Sequence, residues 1–278
     1  MTLLLVFLGE KHFPAQPRRF TLVGLGLLGL VFAGLGAGWL LPYGGTVLVY
    51  LIMIDFVWGA WHFAAQAGGI SRIYARVSGI KSTFEEGEFE KSALRIVLLW
   101  SFLRVGMMSD VRTELVGLDT LRSLSHYANW MDPLFFIPVG MLLVRELRRE
   151  GAWRVGRLGY IISVTALYAT QIIGIRLGDS ALVKSAFVTA AIFHATEYLA
   201  ICGWSMGRQR AEGVWRYIVP RVPLVILGFM VVLGATHQLV EARTVFGWTL
   251  ITLYASFLHY GFDGMIWRAP KKKAAPGG

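Results

Sequence analysis

Residues 20–41 read FTLVGLGLLGLVFAGLGAGWLL, an unbroken run without a charge that begins directly behind Arg18 and Arg19. A helix needs about 20 mostly apolar residues to cross about 30 Å of hydrocarbon, and this run supplies them. It also holds Gly24-Leu25-Gly26-Leu27-Leu28-Gly29, which matches the dinucleotide-binding fingerprint letter for letter. That fingerprint requires a strand before it and a helix opening after it. Here it is embedded in one continuous apolar run, so the match is a false positive. Gly34 and Gly38 recur at four-residue spacing, as do Ala33 and Ala37. Small residues so spaced suit close helix contact in lipid, within one chain or between copies in a helix–helix oligomer.

Seven more runs of this kind follow, at roughly 44–70, 93–109, 128–144, 158–175, 185–207, 222–240 and 244–266. They are apolar on every face and show no sustained alternation, which excludes a transmembrane barrel. The bulk composition agrees: 55% hydrophobic and 16% charged residues, against about 45–50% and about 25% in soluble domains. Disorder is excluded by 13% aromatic residues, and a disulfide scaffold by the single cysteine, Cys202. Cys202 reads as a small buried apolar residue.

The basic residues test the span count. Twenty Lys and Arg fall in segments that alternate to one side, against five on the other: Arg112, Arg122, Arg176, Lys184 and Arg243. The positive-inside rule then places both termini in the cytoplasm. The formal charge of +10 therefore marks a membrane surface and predicts no nucleic-acid partner. Residues 1–8 are too short to span and lack the flanks of a signal peptide, so 1–19 reads as an interfacial segment. Residues 269–278 read as a flexible basic tail that can touch anionic lipid. The cluster Glu85, Glu86, Glu88, Glu90 reads as a solvated loop. Arg104 lies inside the third span and should face protein or water, or snorkel to an interface. With no repeat and no linker, 1–278 is expected to be one all-α, polytopic integral membrane bundle of about eight transmembrane helices.

Four of the six histidines fall inside these spans, each with a polar companion three or four residues away on the same helical face. Span two carries Asp55, His62 and Gln66, and span six carries His194, Glu197 and Tyr198. Span seven carries His237 with Glu241, and span eight carries His259 with Ser256, Tyr260 and Asp263. Counting about 1.5 Å per residue from the nearest cytoplasmic arginine puts the four imidazoles about 14–24 Å deep. Ionisable groups in hydrocarbon cost about 2.5–3.5 kcal/mol each and mark pathways, relays or bound ions. Neutral imidazoles suit divalent iron, zinc or copper, and three or four of them leave iron an open position for oxygen.

The expected site is therefore a divalent metal, Fe(II) first, held by His62, His194 and His259, with His237 as a fourth ligand and Glu197 ligating or orienting. Asp263, Gln66 and Asp55 would orient the imidazoles, and Tyr198 or Tyr260 would donate a hydrogen bond to bound oxygen. The substrate would be an apolar molecule dissolved in the bilayer. Two other readings stand beside this one. In a proton-coupled transporter, Asp55, Arg104, Asp132, Glu197 and the histidines would form a relay. In a haem- or pigment-binding membrane subunit, one or two of the same histidines would hold haem. The absence of HExxH excludes a zinc protease built on that motif.

The string His259-Tyr260-Gly261-Phe262-Asp263-Gly264-Met265-Ile266-Trp267-Arg268, with His62-Phe63-Ala64-Ala65-Gln66 and His194-Ala195-Thr196-Glu197-Tyr198, resembles a group of bacterial membrane proteins that carry histidines in their helices. In size, span number and histidine placement the chain is similar to the Brp/Blh family of membrane β-carotene dioxygenases. The resemblance implies iron-binding histidines and a dioxygenase that cleaves β-carotene to retinal. The family's early Pro-His-Gly type motif has no counterpart in the first span.

Overall fold

In the computed structural model the described residues are 16–40, 44–108, 118–149, 154–208, 221, 224, 227, 228, 231 and 245–266. Among them the chain forms seven helices: α1 (Pro17–Leu40), α2 (Gly44–Val77), α3 (Phe84–Met108), α4 (Leu118–Arg148), α5 (Arg154–Leu177), α6 (Ser180–Arg208) and α7 (Val245–Ile266). The expected span over 222–240 lies almost wholly outside the described residues, and His237 with it. The seven helices cover the other expected spans. Three stretches, Pro17–Gly34, Tyr127–Arg148 and Val155–Leu177, are long and apolar enough to cross a membrane, which indicates membrane association. The glycine string at 24–29 lies inside α1, with no strand before it among the described residues.

Several helices outrun their apolar cores. The clearest case is α3, which begins at Phe84 rather than near 93. Thr83 and Glu86 form a capping box there: the Glu86 amide donates to Thr83 Oγ1 at 3.2 Å, and the Thr83 amide donates to Glu86 Oε2 at 2.9 Å. The acidic cluster is thus the first turns of a helix, not a solvated loop. Its last member, Glu90, is buried. Composition could not reveal this because the cations that neutralise Glu90 lie far away in sequence.

The chain packs as two compact units, 56–196 and 1–55 with 197–278, whose boundaries fall inside α2 and α6. In the 56–196 unit, α3, α4 and α5 pack on one another. Trp100 stacks on Phe135 at 3.9 Å within a cluster that includes Ala128, Ile172, Ile175 and Val183. Phe102 is an aromatic hub, its ring 5.4 Å from Phe63 and 5.6 Å from both Phe56 and Phe187. Arg104 is fully buried and faces protein: its Nε lies 3.0 Å from Asp132 Oδ1, and it also donates to Asn129. Trp100 Nε1 donates to the same carboxylate at 2.9 Å. A second buried polar cluster joins four helices. Ser71 of α2 donates to Glu90 of α3, and Arg157 of α5 grips Glu90 and, at 3.1 Å, Glu146 of α4.

Helices α5 and α6 meet through two residues. Gly178, at φ +69°, takes the left-handed position that ends α5, and the Asp179 amide donates back to the Gly174 carbonyl at 2.9 Å. Asp179 then caps α6, its Oδ1 accepting from the Leu182 amide at 2.9 Å. Gly79, at φ +68°, closes α2 in the same way.

In the other unit α1 packs on α7. Phe20, Leu258 and Phe262 form its core, with Phe20 and Phe262 edge to face at 5.3 Å. Gly34 approaches the Leu51 side chain so closely that a Cβ there would stand 2.4 Å from Leu51 Cδ1. This is the close contact that the small-residue spacing predicts.

Candidate functional site

In the 56–196 unit, His62 of α2 and His194 of α6 come together. Their ring centroids are 5.2 Å apart at 77°, and each offers a ring nitrogen within 4.8 Å of the other's. Both rings are half-buried. Phe63 stacks flat on His194, centroid to centroid 3.7 Å at 8°. Gln66, one turn beyond His62, donates its Nε2 to the His194 carbonyl at 3.2 Å. Its Oε1 is buried and finds no hydrogen-bond partner among the described residues.

The packing explains why these side chains hold their places. Phe63 fixes the plane of the His194 ring, and Gln66 ties α2 to the α6 backbone beside it. Phe63 was not singled out from the sequence, because an aromatic beside a histidine in an apolar helix carries no distinguishing signal. Only the opposing imidazole gives it a role.

In the other unit, Tyr198 of α6 donates its hydroxyl to Asp263 Oδ1 of α7 at 2.7 Å. The Tyr198 ring stands at 90° to the His259 ring, with centroids 5.1 Å apart. Asp263 lies one turn beyond His259 on α7, its Oδ1 3.9 Å from His259 Nδ1. Tyr198 and Phe262 are buried, while His259 is half-buried. Asp55, at the end of this unit's part of α2, lies beside Ser256, one turn before Tyr260 on α7. Glu197 is half-buried and has no hydrogen bond or ion pair among the described residues. His237 lies outside them.

Two registers run along single helices. His194 and Tyr198 are one turn apart on one face of α6, and Asp55 and His62 are two turns apart on one face of α2. In the 56–196 unit the donors are two imidazoles backed by a neutral aromatic and an amide. That set matches a borderline divalent transition metal better than a hard, oxygen-seeking cation. No family model, curated protein or solved structure matches the chain.

Proposed function

We propose that the chain is a polytopic membrane oxidoreductase in which His62, His194 and His259 hold one divalent metal ion, Fe(II) first, and act on an apolar substrate drawn from the bilayer. The observation that carries this reading is the His62–His194 pair, with ligand nitrogens already within 4.8 Å. The third ligand of the proposal is His259, which stands beside Tyr198 and Asp263. Tyr198, one turn from His194, touches His259. Asp55, two turns from His62, lies beside Ser256, one turn before Tyr260.

Within that reading the chain's own groups orient and exclude. Asp263 stands beside His259 as the carboxylate partner that ligating histidines commonly have, and Tyr198 holds Asp263 in place through its hydroxyl. Phe63 and Gln66 fix His194. Phe63 also contributes an apolar wall that keeps water out. Tyr260 remains the phenol offered to an oxygen ligand, and Glu197 and His237 remain candidate further ligands. A bound ferrous ion would supply an open coordination position for oxygen chemistry. Cleavage of a carotenoid is the reaction that the resemblance to the Brp/Blh family adds. Eight spans, cytoplasmic termini and a bacterial inner membrane complete the proposal.

The transporter reading uses Arg104 and Asp132 as steps of a relay. Their pairing with each other, with Trp100 and Asn129 around them, favours a structural clamp. The test is elemental analysis of protein purified without oxygen, for the parent and for His62→Ala, His194→Ala and His259→Ala. The expected result is stoichiometric iron in the parent and loss in each variant, without the strong visible absorption of haem. Equal metal content in parent and all three variants would remove the proposal.

A further inference from the structure

Where α2 ends and α3 begins, a cleft of about 480 Å³ opens at the surface of the 56–196 unit, lined in part by Arg72, Arg76, Lys81, Ser82, Thr83 and Phe84. That volume lies in the range of small-molecule sites, about 300–1,000 Å³. Its charge is one-sided. Glu88 also lines the cleft but is held by Arg72 at 2.8 Å and by Lys91. Glu90, which also lines it, is buried, neutralised by Arg157 and hydrogen-bonded by Ser71. Glu86 turns away into the Thr83 cap and toward Arg145 and Arg149. The Arg76 and Lys81 side chains have no hydrogen bond or ion pair among the described residues. Two uncompensated cations thus flank two hydroxyl groups in a concave site.

The backbone adds to this. The carbonyls that would repel an anion at the end of α2 are occupied, with Ile80 donating to Ala75 and Gly79 to Arg76. The opposite wall is the start of α3, where the positive partial charge of the helix end is offset by Glu85 and Glu86 in its first turn. Phe84 sits on the rim with 83% of its surface exposed, and Val77 nearby is 64% exposed. Large apolar side chains beside a cationic cleft suit the boundary between headgroups and acyl chains. This end of the unit is also the one that the basic residues assign to the cytoplasm.

We propose that this cleft is a phosphate-binding site, with Arg76 and Lys81 as its cations, Ser82 as a further donor, and Phe84 anchoring an acyl chain when the phosphate belongs to a lipid. The shared ligand chemistry is a phosphate monoester or free phosphate. The inference is independent of the metal site, since none of its residues contributes an imidazole.

The experiment uses the full chain in nanodiscs of phosphatidylcholine, with and without phosphatidic acid, and compares the parent with the double variant Arg76→Gln/Lys81→Gln. Arg148→Gln/Lys184→Gln removes the same charge at exposed positions outside the cleft and serves as the reference. Lipid retained on the protein is counted by native mass spectrometry, and in a second arm thermal unfolding is followed with added inorganic phosphate. Two cations near a membrane surface predict roughly thirtyfold weaker retention of phosphatidic acid in the double variant, with the reference variant like the parent. Retention unaffected by inorganic phosphate identifies the lipid as the source. A phosphate-induced rise in Tm that the double variant lacks identifies free phosphate. If parent and double variant behave alike in both arms, the proposal is overturned.

Discussion

Arg157 of α5 and Glu90 of α3 are both withdrawn from solvent and hydrogen-bond directly to each other, while Glu146 of α4 meets the same guanidinium at 3.1 Å. Removing one member of such a buried pair strands the other's charge, at a cost of about 3–5 kcal/mol. Arg157→Ala should therefore lower Tm in detergent, since it leaves Glu90 and Glu146 with only the partly exposed Arg145 and Arg149. Glu90→Gln should lower it less, because the amide can still accept from Ser71. Equal Tm in parent and both variants would show that the cluster contributes nothing to the fold.

Two glycines of α5 separate packing from propensity. At Gly174 a Cβ would stand 2.9 Å from Val183 Cγ2 and 3.2 Å from the Val183 backbone nitrogen. Gly174→Ala should therefore destabilise by about 1–3 kcal/mol through overpacking. At Gly159 nothing lies within 4 Å, so Gly159→Ala should be neutral or stabilising by up to about 1 kcal/mol. Thermal unfolding of the two variants, measured side by side, checks the opposite signs.

The α2–α3 junction should be acid-sensitive. The Thr83 amide and nearby guanidiniums hold Glu86 below the usual carboxylate range, and Lys91 and Arg72 do the same for Glu88. A carboxylate lowered on folding adds stability that is fully present above its ordinary value of 4.5 and is lost as pH falls through the lowered one. Glu86→Gln and Glu88→Gln should flatten the acid limb of a Tm-against-pH curve and leave its neutral region nearly unchanged. An acid limb as steep in both variants as in the parent would assign the loss to other groups.

Tyr198→Phe removes the hydroxyl donated to Asp263 but keeps the ring beside His259. If Asp263 orients His259, metal affinity should fall about 10- to 100-fold while the stoichiometry at saturating iron is retained. Asp263→Asn should weaken it similarly. Competition with a calibrated chelator measures both, and undiminished affinity in both variants would place Asp263 outside the site.

Most helices were legible because hydrophobic runs report directly on where a chain can leave water. Their ends were not. Helix α3 starts at Phe84 because Thr83 and Glu86 cap it, and α2 continues past Ile70 to Val77; hydropathy registers neither continuation. Asp263 beside His259 was legible from one-turn spacing, whereas Gln66 serves the His194 backbone rather than the His62 ring. The Phe63 stack and the Arg104–Asp132 pair depend on which helices face each other, and spacing along one helix holds no record of that. Glu90 misled for the same reason, since Arg157 lies 67 residues away.

The short join at Gly178 and Asp179 bears on biosynthesis. Two residues cannot carry the chain across a bilayer, so α5 and α6 must double back, consistent with Tyr160 lying 6.5 Å from Phe193. The pair would leave the translocon as a single hairpin. Lengthening that turn with a flexible insert would let each arm partition separately, and the ribosome's schedule, rather than the finished bundle, would then decide where His194 arrives.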